Sequence, residues 1–212
     1  MRDPDRADGE ADPFGAGLVP FPWQGVEERH GGVVPLCGYG SLLCADSASA
    51  TIREREERVW GVAFGGRRVF DYVAPDRFET MFGPPLSSRH RAALNVRHTG
   101  RPEDRFNCAL IEVPAEDLAA LRVREKDYDL APVRFAPWED AGDGPDGPRS
   151  RTAYALACPP GSDSVDDTLL PHAAYQLLCE RGAAGHSAEF HRFFLETTWL
   201  ADGTTPVASE LA

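Results

Sequence analysis

Lysine is almost missing from this chain: Lys126 is the only one in 212 residues. Arg, Ala, Gly and Pro are abundant instead, the bias of a GC-rich coding sequence rather than of a function. Positive charge is short overall, with 22 Lys and Arg against 34 Asp and Glu and a net charge of −12. Phosphate binding needs a basic surface, so no nucleic-acid partner is expected. No apolar run approaches the roughly 20 residues that cross a bilayer, so no membrane partner is expected either. The opening residues, MRDPDRADGEADPFGAG, are acidic and hold no apolar segment, so they do not read as a secretory signal.

Paired cysteines are missing too. Cys37, Cys44, Cys108, Cys158 and Cys179 are odd in number, and none forms a Cys-x-x-Cys pair. This argues against a disulfide framework or a zinc site and points to a reducing cytoplasm. Cys37 and Cys108 fall inside apolar strand patterns, where free cysteine acts as a small hydrophobe. The nearest histidines in the C-terminal region, His186 and His191, are five apart and do not share a helix face. Asp163, Asp166 and Asp167 lack EF-hand spacing and read as capping residues. No metal or cofactor is implied.

What is present suits one domain with tails, at 42% apolar and 9% aromatic residues. Residues 1–31 read as a disordered or loosely attached arm, 32–202 as the domain and 203–212 as a tail. Val33 to Cys37 is a short buried strand broken by Gly38 and Gly40. RVWGVAFGGRRVFDYV holds two β-rich runs about Gly65-Gly66, the signal of a hairpin. AALNVRH and RFNCALIEV are further strands, the second half-buried with Phe106, Cys108 and Leu110 on one face. Pro114 starts a helix with acids in its first turn, as the helix dipole favours, and an inner stripe of Leu118, Leu121 and Arg122. The prolines of DLAPVRFAPW suggest an edge strand or a bulge. Residues 139–150, EDAGDGPDGPRS, form a flexible polar loop, and RTAYALACP resumes as a strand.

From 165 to 202 the pattern is helical. Tyr175, Leu178 and Cys179 sit at helical spacing in a helix closed by Gly182. Phe190, Phe193, Phe194 and Thr197 share a face of the next, with Gly203 as its stop. The expected fold class is α+β: a small mixed, mostly antiparallel β-barrel with one internal helix and a C-terminal helical extension.

Two stretches could carry chemistry. GYGSLL, residues 38–43, puts a tight turn with exposed backbone N–H groups after a buried strand. Such a turn is either a plain strand-to-loop connection or a cradle for an anion or oxyanion. It is no P-loop, lacking Gly-Lys-Ser/Thr, and no Gly-x-Ser-x-Gly elbow. The second is LRVREKDYDLAPVRF, where Glu125 stands between a helix and a strand with Tyr128 beyond it. A carboxylate late in a helix opposes the dipole and caps nothing. Either Arg122 or Arg124 satisfies it at the surface, or it has a use.

Together the YGS turn and L-x-x-R-E-x-x-Y resemble the γ-glutamylcyclotransferase-like superfamily, which includes γ-glutamylcyclotransferases, γ-glutamylamine cyclotransferases, ChaC proteins and AIG2-like proteins. VWGVAFGGRRVFDY, ALNV, FNCALIEVPAEDLAALRVREKDYDLAPV and FLETT extend the resemblance over about 33–200 in the family's order. The resemblance implies a cavity at Tyr39, Gly40, Ser41 and Leu42, an acid–base carboxylate at Glu125, and Tyr128 beside it. It also implies an activity: a γ-glutamyl amide is cyclised to 5-oxoproline with release of the amine. The spacer from Glu125 to Tyr128 is shorter than in the γ-glutamylcyclotransferases proper, which bears on substrate choice. The nucleophile is the substrate's own α-amine, so the chemistry needs a proton carrier, a folded substrate and an oxyanion site. Two other readings use the same cavity: removal of a γ-glutamyl protecting group in secondary metabolism, and non-catalytic binding of a small molecule.

Overall fold

The computed structural model describes residues 23–30, 32–53 and 57–210. The expected arm splits at this boundary. Residues 1–22 and 31 lie outside the described residues, but Trp23–His30 form a helix, α1. Trp23 and Val26 are buried, and the Trp23 indole donates to the Tyr128 carbonyl at 2.8 Å. Residues 23–30 are therefore part of the folded body. Their two apolar anchors are masked in the sequence by the acidic, Gly- and Pro-rich composition around them.

Strands β1 (Val33–Gly38), β2 (Val59–Phe64), β3 (Gly66–Val73), β4 (Ala92–His98), β5 (Arg105–Pro114), β6 (Asp129–Pro137), β7 (Arg151–Ala157) and β8 (Thr198–Leu200) build two sheets. Five close into a barrel in the order β1-β5-β2-β6-β7. Its seams are antiparallel except β1 against β7, which is parallel. The other three form a sheet ordered β4-β3-β8. The fold is α+β with a mixed, mostly antiparallel barrel, as expected. The separate three-stranded sheet is new.

That sheet corrects the hairpin. β2 pairs with β5 and β6, whereas β3 pairs with β4 and β8. Gly66 belongs to β3, so Gly65 alone separates the strands, and one residue is too short for the usual two-residue reversal. The chain instead turns a corner between sheets at Gly65, whose φ of 101° suits glycine. The Asp104 carbonyl accepts from Gly65 and Gly66 N–H at 2.8 and 3.2 Å, clamping the corner to the β4–β5 connection.

Several finer expectations also change. β5 is buried on both faces: one lines the barrel interior, and Asn107 of β5 is bonded to Arg68 of the second sheet and to the Phe190 carbonyl. β6 is not an edge strand. Pro132 falls where β6 pairs with β7 but not with β2, which leaves room for a residue without N–H. In α4 (Ala115–Arg124), Asp117, Leu118 and Leu121 are buried and Arg122 is exposed. Asp117 is drawn inward because it accepts from the Arg53 backbone and guanidinium. Residues 139–150 are tied by Arg149 to Glu139 and Asp140, and by Arg134 to the Pro145 and Ser150 carbonyls.

The remaining helices are α2 (Ala45–Ser49), α3 (Arg77–Phe82), α5 (Ala173–His186) and α6 (Ala188–Glu196). Gly182 does not close α5 but lies within it. A Cβ there would stand 2.9 Å from Leu43 and Cys44, so glycine lets α5 press on the turn after β1. Ser187 separates α5 from α6 and caps the latter by accepting from Phe190 N–H at 3.0 Å. Thr197 ends α6, and the next residues leave as β8 alongside β3.

Arg68 knots these layers together. It is fully buried and donates to the Asn107 carbonyl and side chain, the Phe194 carbonyl and Thr198 Oγ1, at 2.8–3.0 Å. Its guanidinium stacks on the Phe194 ring at 3.9 Å. Burial lowers its pKa to about 9, so it remains charged at neutral pH. These four bonds offset part of the cost of its desolvation.

Candidate active site

The α4-to-β6 join sets Glu125. Its N–H still donates to the Leu121 carbonyl at 2.8 Å, and its own carbonyl accepts from Tyr128 N–H at 3.0 Å. The helix thus ends in a tight turn that points the chain into β6. The side chain is only 14% exposed and pairs with Arg124 Nε at 2.9 Å. Burial raises the Glu125 pKa, while Arg124 and Arg77 pull it back without cancelling the rise.

Arg124 uses all five of its N–H donors here. Besides Glu125, it reaches the Ser47 carbonyl at 2.7 Å, Thr51 Oγ1 at 3.1 Å, Ser41 Oγ at 3.0 Å and Ser47 Oγ at 3.1 Å. One guanidinium therefore links the carboxylate to the turn after β1. Arg77 from α3 donates in turn to the Arg124 carbonyl.

That turn is a short 3₁₀ segment, Ser41–Leu43. Its first closed bond runs from Leu43 N–H to the Gly40 carbonyl at 3.0 Å. The N–H groups of Ser41 and Leu42 precede that bond, and among the described residues no protein acceptor takes them. Gly40 is required by space, because a Cβ there would lie 2.6 Å from the Tyr175 hydroxyl. Arg58 fastens the far side of the turn by donating to the Leu42 and Leu43 carbonyls at 3.1 and 3.2 Å.

Tyr39, Gly40, Ser41, Leu42, Glu125 and Tyr128, singled out from the sequence, all line one cavity of about 30 Å³. Two tyrosine hydroxyls are already engaged as donors: Tyr39 donates to the Leu156 carbonyl at 2.6 Å, and Tyr128 to the Leu94 carbonyl at 2.8 Å. Both are wall and scaffold, and burial raises the pKa of each. Leu94, Leu156 and Tyr175 complete the lining. A second chamber of about 70 Å³ shares Ser41, Glu125, Tyr128 and Tyr175 with the first and adds Tyr72, Arg77 and Phe78. Tyr72 donates to Asp127 at 2.7 Å, and its ring packs on Tyr128.

Sequence reasoning missed Arg124 as a link, and did not place Tyr72, Arg77 or Tyr175 at the site. Arg124 had a signal, since it precedes Glu125 directly. The others come from β3, α3 and α5, and only the tertiary fold brings them here. Among the described residues, no group of His, Cys, Asp and Glu is arranged to hold a metal ion. No described helix is long and apolar enough to cross a membrane.

No family model matches the chain, and no curated protein matches its sequence. Solved structures do resemble it. The crystal structure of YkqA from Bacillus subtilis matches with a TM-score of 0.50 and 17% identity over 80% of this chain. The chain spans only 55% of YkqA's length. The human protein loc79017 matches with a TM-score of 0.50 and 14% identity, over 76% of this chain and 85% of that one. A yeast γ-glutamyl cyclotransferase specific to glutathione matches with a TM-score of 0.52 and 12% identity, over 77% of this chain and 94% of the yeast chain. What these likenesses show is a shared fold, one that a glutathione-specific γ-glutamyl cyclotransferase also adopts.

Proposed function

We propose that this chain is a γ-glutamyl cyclotransferase-type enzyme, converting a γ-glutamyl amide to 5-oxoproline and a free amine. The observation that carries the proposal is that Glu125 lines one cavity with Ser41 and Leu42, whose N–H groups have no protein acceptor among the described residues. Glu125 takes a proton from the substrate's α-ammonium. The freed amine attacks the γ-carbonyl carbon, closing a five-membered ring. Negative charge gathers on the carbonyl oxygen, where the Ser41 and Leu42 N–H groups supply donors. Glu125 then returns that proton to the amide nitrogen, the C–N bond breaks, and Glu125 carries a second proton from the ring nitrogen to the departing amine. Of the three ammonium protons, one stays on the ring nitrogen and two leave with the amine as its ammonium.

The raised pKa of Glu125 suits both halves of this cycle, because a carboxyl nearer neutrality takes and returns a proton more evenly. Apolar walls at Leu94 and Leu156 keep water from the ring-closing carbon. The five cysteines are free, and four of them are buried, which supports placing the protein in a reducing cytoplasm. The test is incubation with a panel of γ-glutamyl amides, glutathione included because the yeast neighbour is specific to it. Release of 5-oxoproline from one of them is expected. Its absence across dipeptides, glutathione and simple amides would overturn the proposal.

A further inference from the structure

A separate cavity of about 460 Å³ shares no lining residue with the two chambers at Glu125. Leu94 and Leu156 line the inner cavity, while the residues that follow them, Asn95 and Ala157, line this one. Successive strand residues face opposite ways, so β4 and the end of β7 contribute to both linings. A further wall is the turn at 159–162, closed by Ser162 N–H donating to the Pro159 carbonyl at 3.1 Å. The segment after it is docked on β3, where Val73 N–H donates to the Ser164 carbonyl at 2.8 Å and Asp166 N–H to the Asp71 carbonyl at 2.9 Å. The volume falls within the roughly 300–1,000 Å³ usual for small-ligand pockets.

Two acceptors in this lining lack a donor. Asp71 stands at an irregularity in β3, where the pairing with β4 shifts register between Phe70 and Tyr72. Its side chain is fully buried. Arg97 Nε donates to Oδ2 at 2.6 Å, but Oδ1 has no hydrogen-bond partner among the described residues. Burial raises the Asp71 pKa, and Arg97 and the nearby Asn95 side chain lower it without cancelling the rise. His98 ends β4, and its Nε2 is likewise buried without a partner among the described residues. The Pro132 carbonyl accepts from the other ring nitrogen, and burial lowers the pKa, so the ring is neutral and Nε2 is an acceptor. Buried polar atoms normally have partners, so two orphaned acceptors in one lining call for donors from outside it. The charge of the lining is balanced already, because Asp71 and Arg97 are paired with each other. Val96, Pro159, Pro160 and Val165 supply apolar surface.

We propose that this cavity is a second binding site, for an uncharged molecule with an apolar body and amide-type N–H donors, read by Asp71 Oδ1 and His98 Nε2. A carboxylate ligand offers these acceptors nothing, and a cationic one would have to share Asp71 with Arg97. No residue of the site lines the cavity at Glu125, so the inference stands apart from the cyclisation proposed above.

Benzamide is the probe, compared with benzoate, which has the same shape but no N–H, and with N,N-dimethylbenzamide, which keeps the ring and carbonyl but has no N–H. NMR titration of the full chain should show benzamide binding about 10- to 100-fold more tightly than either, the range for a hydrogen bond to a charged acceptor. Two variants place the probe. In Asp71→Asn, Arg97 keeps the side-chain oxygen as its acceptor, so an NH₂ group takes the place of Oδ1. The preference for benzamide over benzoate should then fall to one or below. His98→Leu keeps the bulk, removes one acceptor and should weaken benzamide about 3- to 10-fold. It leaves the Asp71–Arg97 pair intact, so it carries the test if the Asn variant does not fold. Equal binding of benzamide and benzoate, no benzamide binding in the millimolar range, or an unchanged affinity and preference in the folded variants would overturn the site.

Discussion

Glu125 was legible as an oddity: a carboxylate where the helix dipole gives it no welcome. Its partner was not, because adjacency in sequence does not say that Arg124 spans from Glu125 to Ser41. The geometry makes Arg124 a positioning residue. Arg124→Met should slow 5-oxoproline release by about 10- to 100-fold, since small displacements of reacting groups are costly. A second readout separates this from general loosening. Arg124 holds the Glu125 pKa down, so its loss should move the acidic limb of the pH–rate profile to higher pH. Unchanged pH dependence would remove Arg124 from the mechanism. Stability carries its own signature. A carboxyl whose folded pKa is raised favours the folded state below its unfolded pKa, and that contribution is lost as pH rises through the folded value. The melting temperature of the wild type relative to Glu125→Gln should therefore fall as pH rises from the ordinary Glu range toward neutrality. At Gly40 the constraint is contact. Gly40→Ala should destabilise by about 1–3 kcal/mol, and Tyr175→Phe in the same chain should restore most of it by removing the hydroxyl 2.6 Å away.

At the scale of elements, most strands and three of the helices could be read from periodicity, because their apolar faces repeat within a few residues. What escaped depends on partners far away in the chain. The runs about Gly65 look like a hairpin locally, yet Asp104, some forty residues on, holds the corner open. α1 escaped because two buried residues, Trp23 and Val26, anchor an otherwise polar segment. Trp23→Ala should lower stability by about 3–5 kcal/mol, read by urea unfolding, as for other buried aromatic truncations. It should also lower activity, because the Trp23 indole fixes the Tyr128 carbonyl next to the cavity. A variant as stable and active as the wild type would show that α1 does not support the barrel. Tyr72, Arg77 and Tyr175 escaped for the same reason as the corner: β3, α3 and α5 meet only when both sheets have formed.

Across the whole molecule, a closed barrel and a second sheet leave one region where a carboxylate, unclaimed backbone donors and a large groove come together. Arg68 keeps that region in place from behind, since it bonds to β5, to α6 and to Thr198 of β8, and reaches toward the Tyr39 carbonyl at 3.4 Å. The overall negative charge says little about the groove, whose described lining holds four arginines and one carboxylate, so a composition-level reading could not have found it. The central claim is that Glu125 carries the proton through cyclisation. It is tested most directly by the initial rate of 5-oxoproline formation from a turned-over γ-glutamyl amide, compared between the wild type and a folded Glu125→Gln protein. Gln keeps nearly the same shape but cannot exchange the proton, so a fall of about 10²–10⁴-fold is expected. Equal rates in the two proteins would contradict the account.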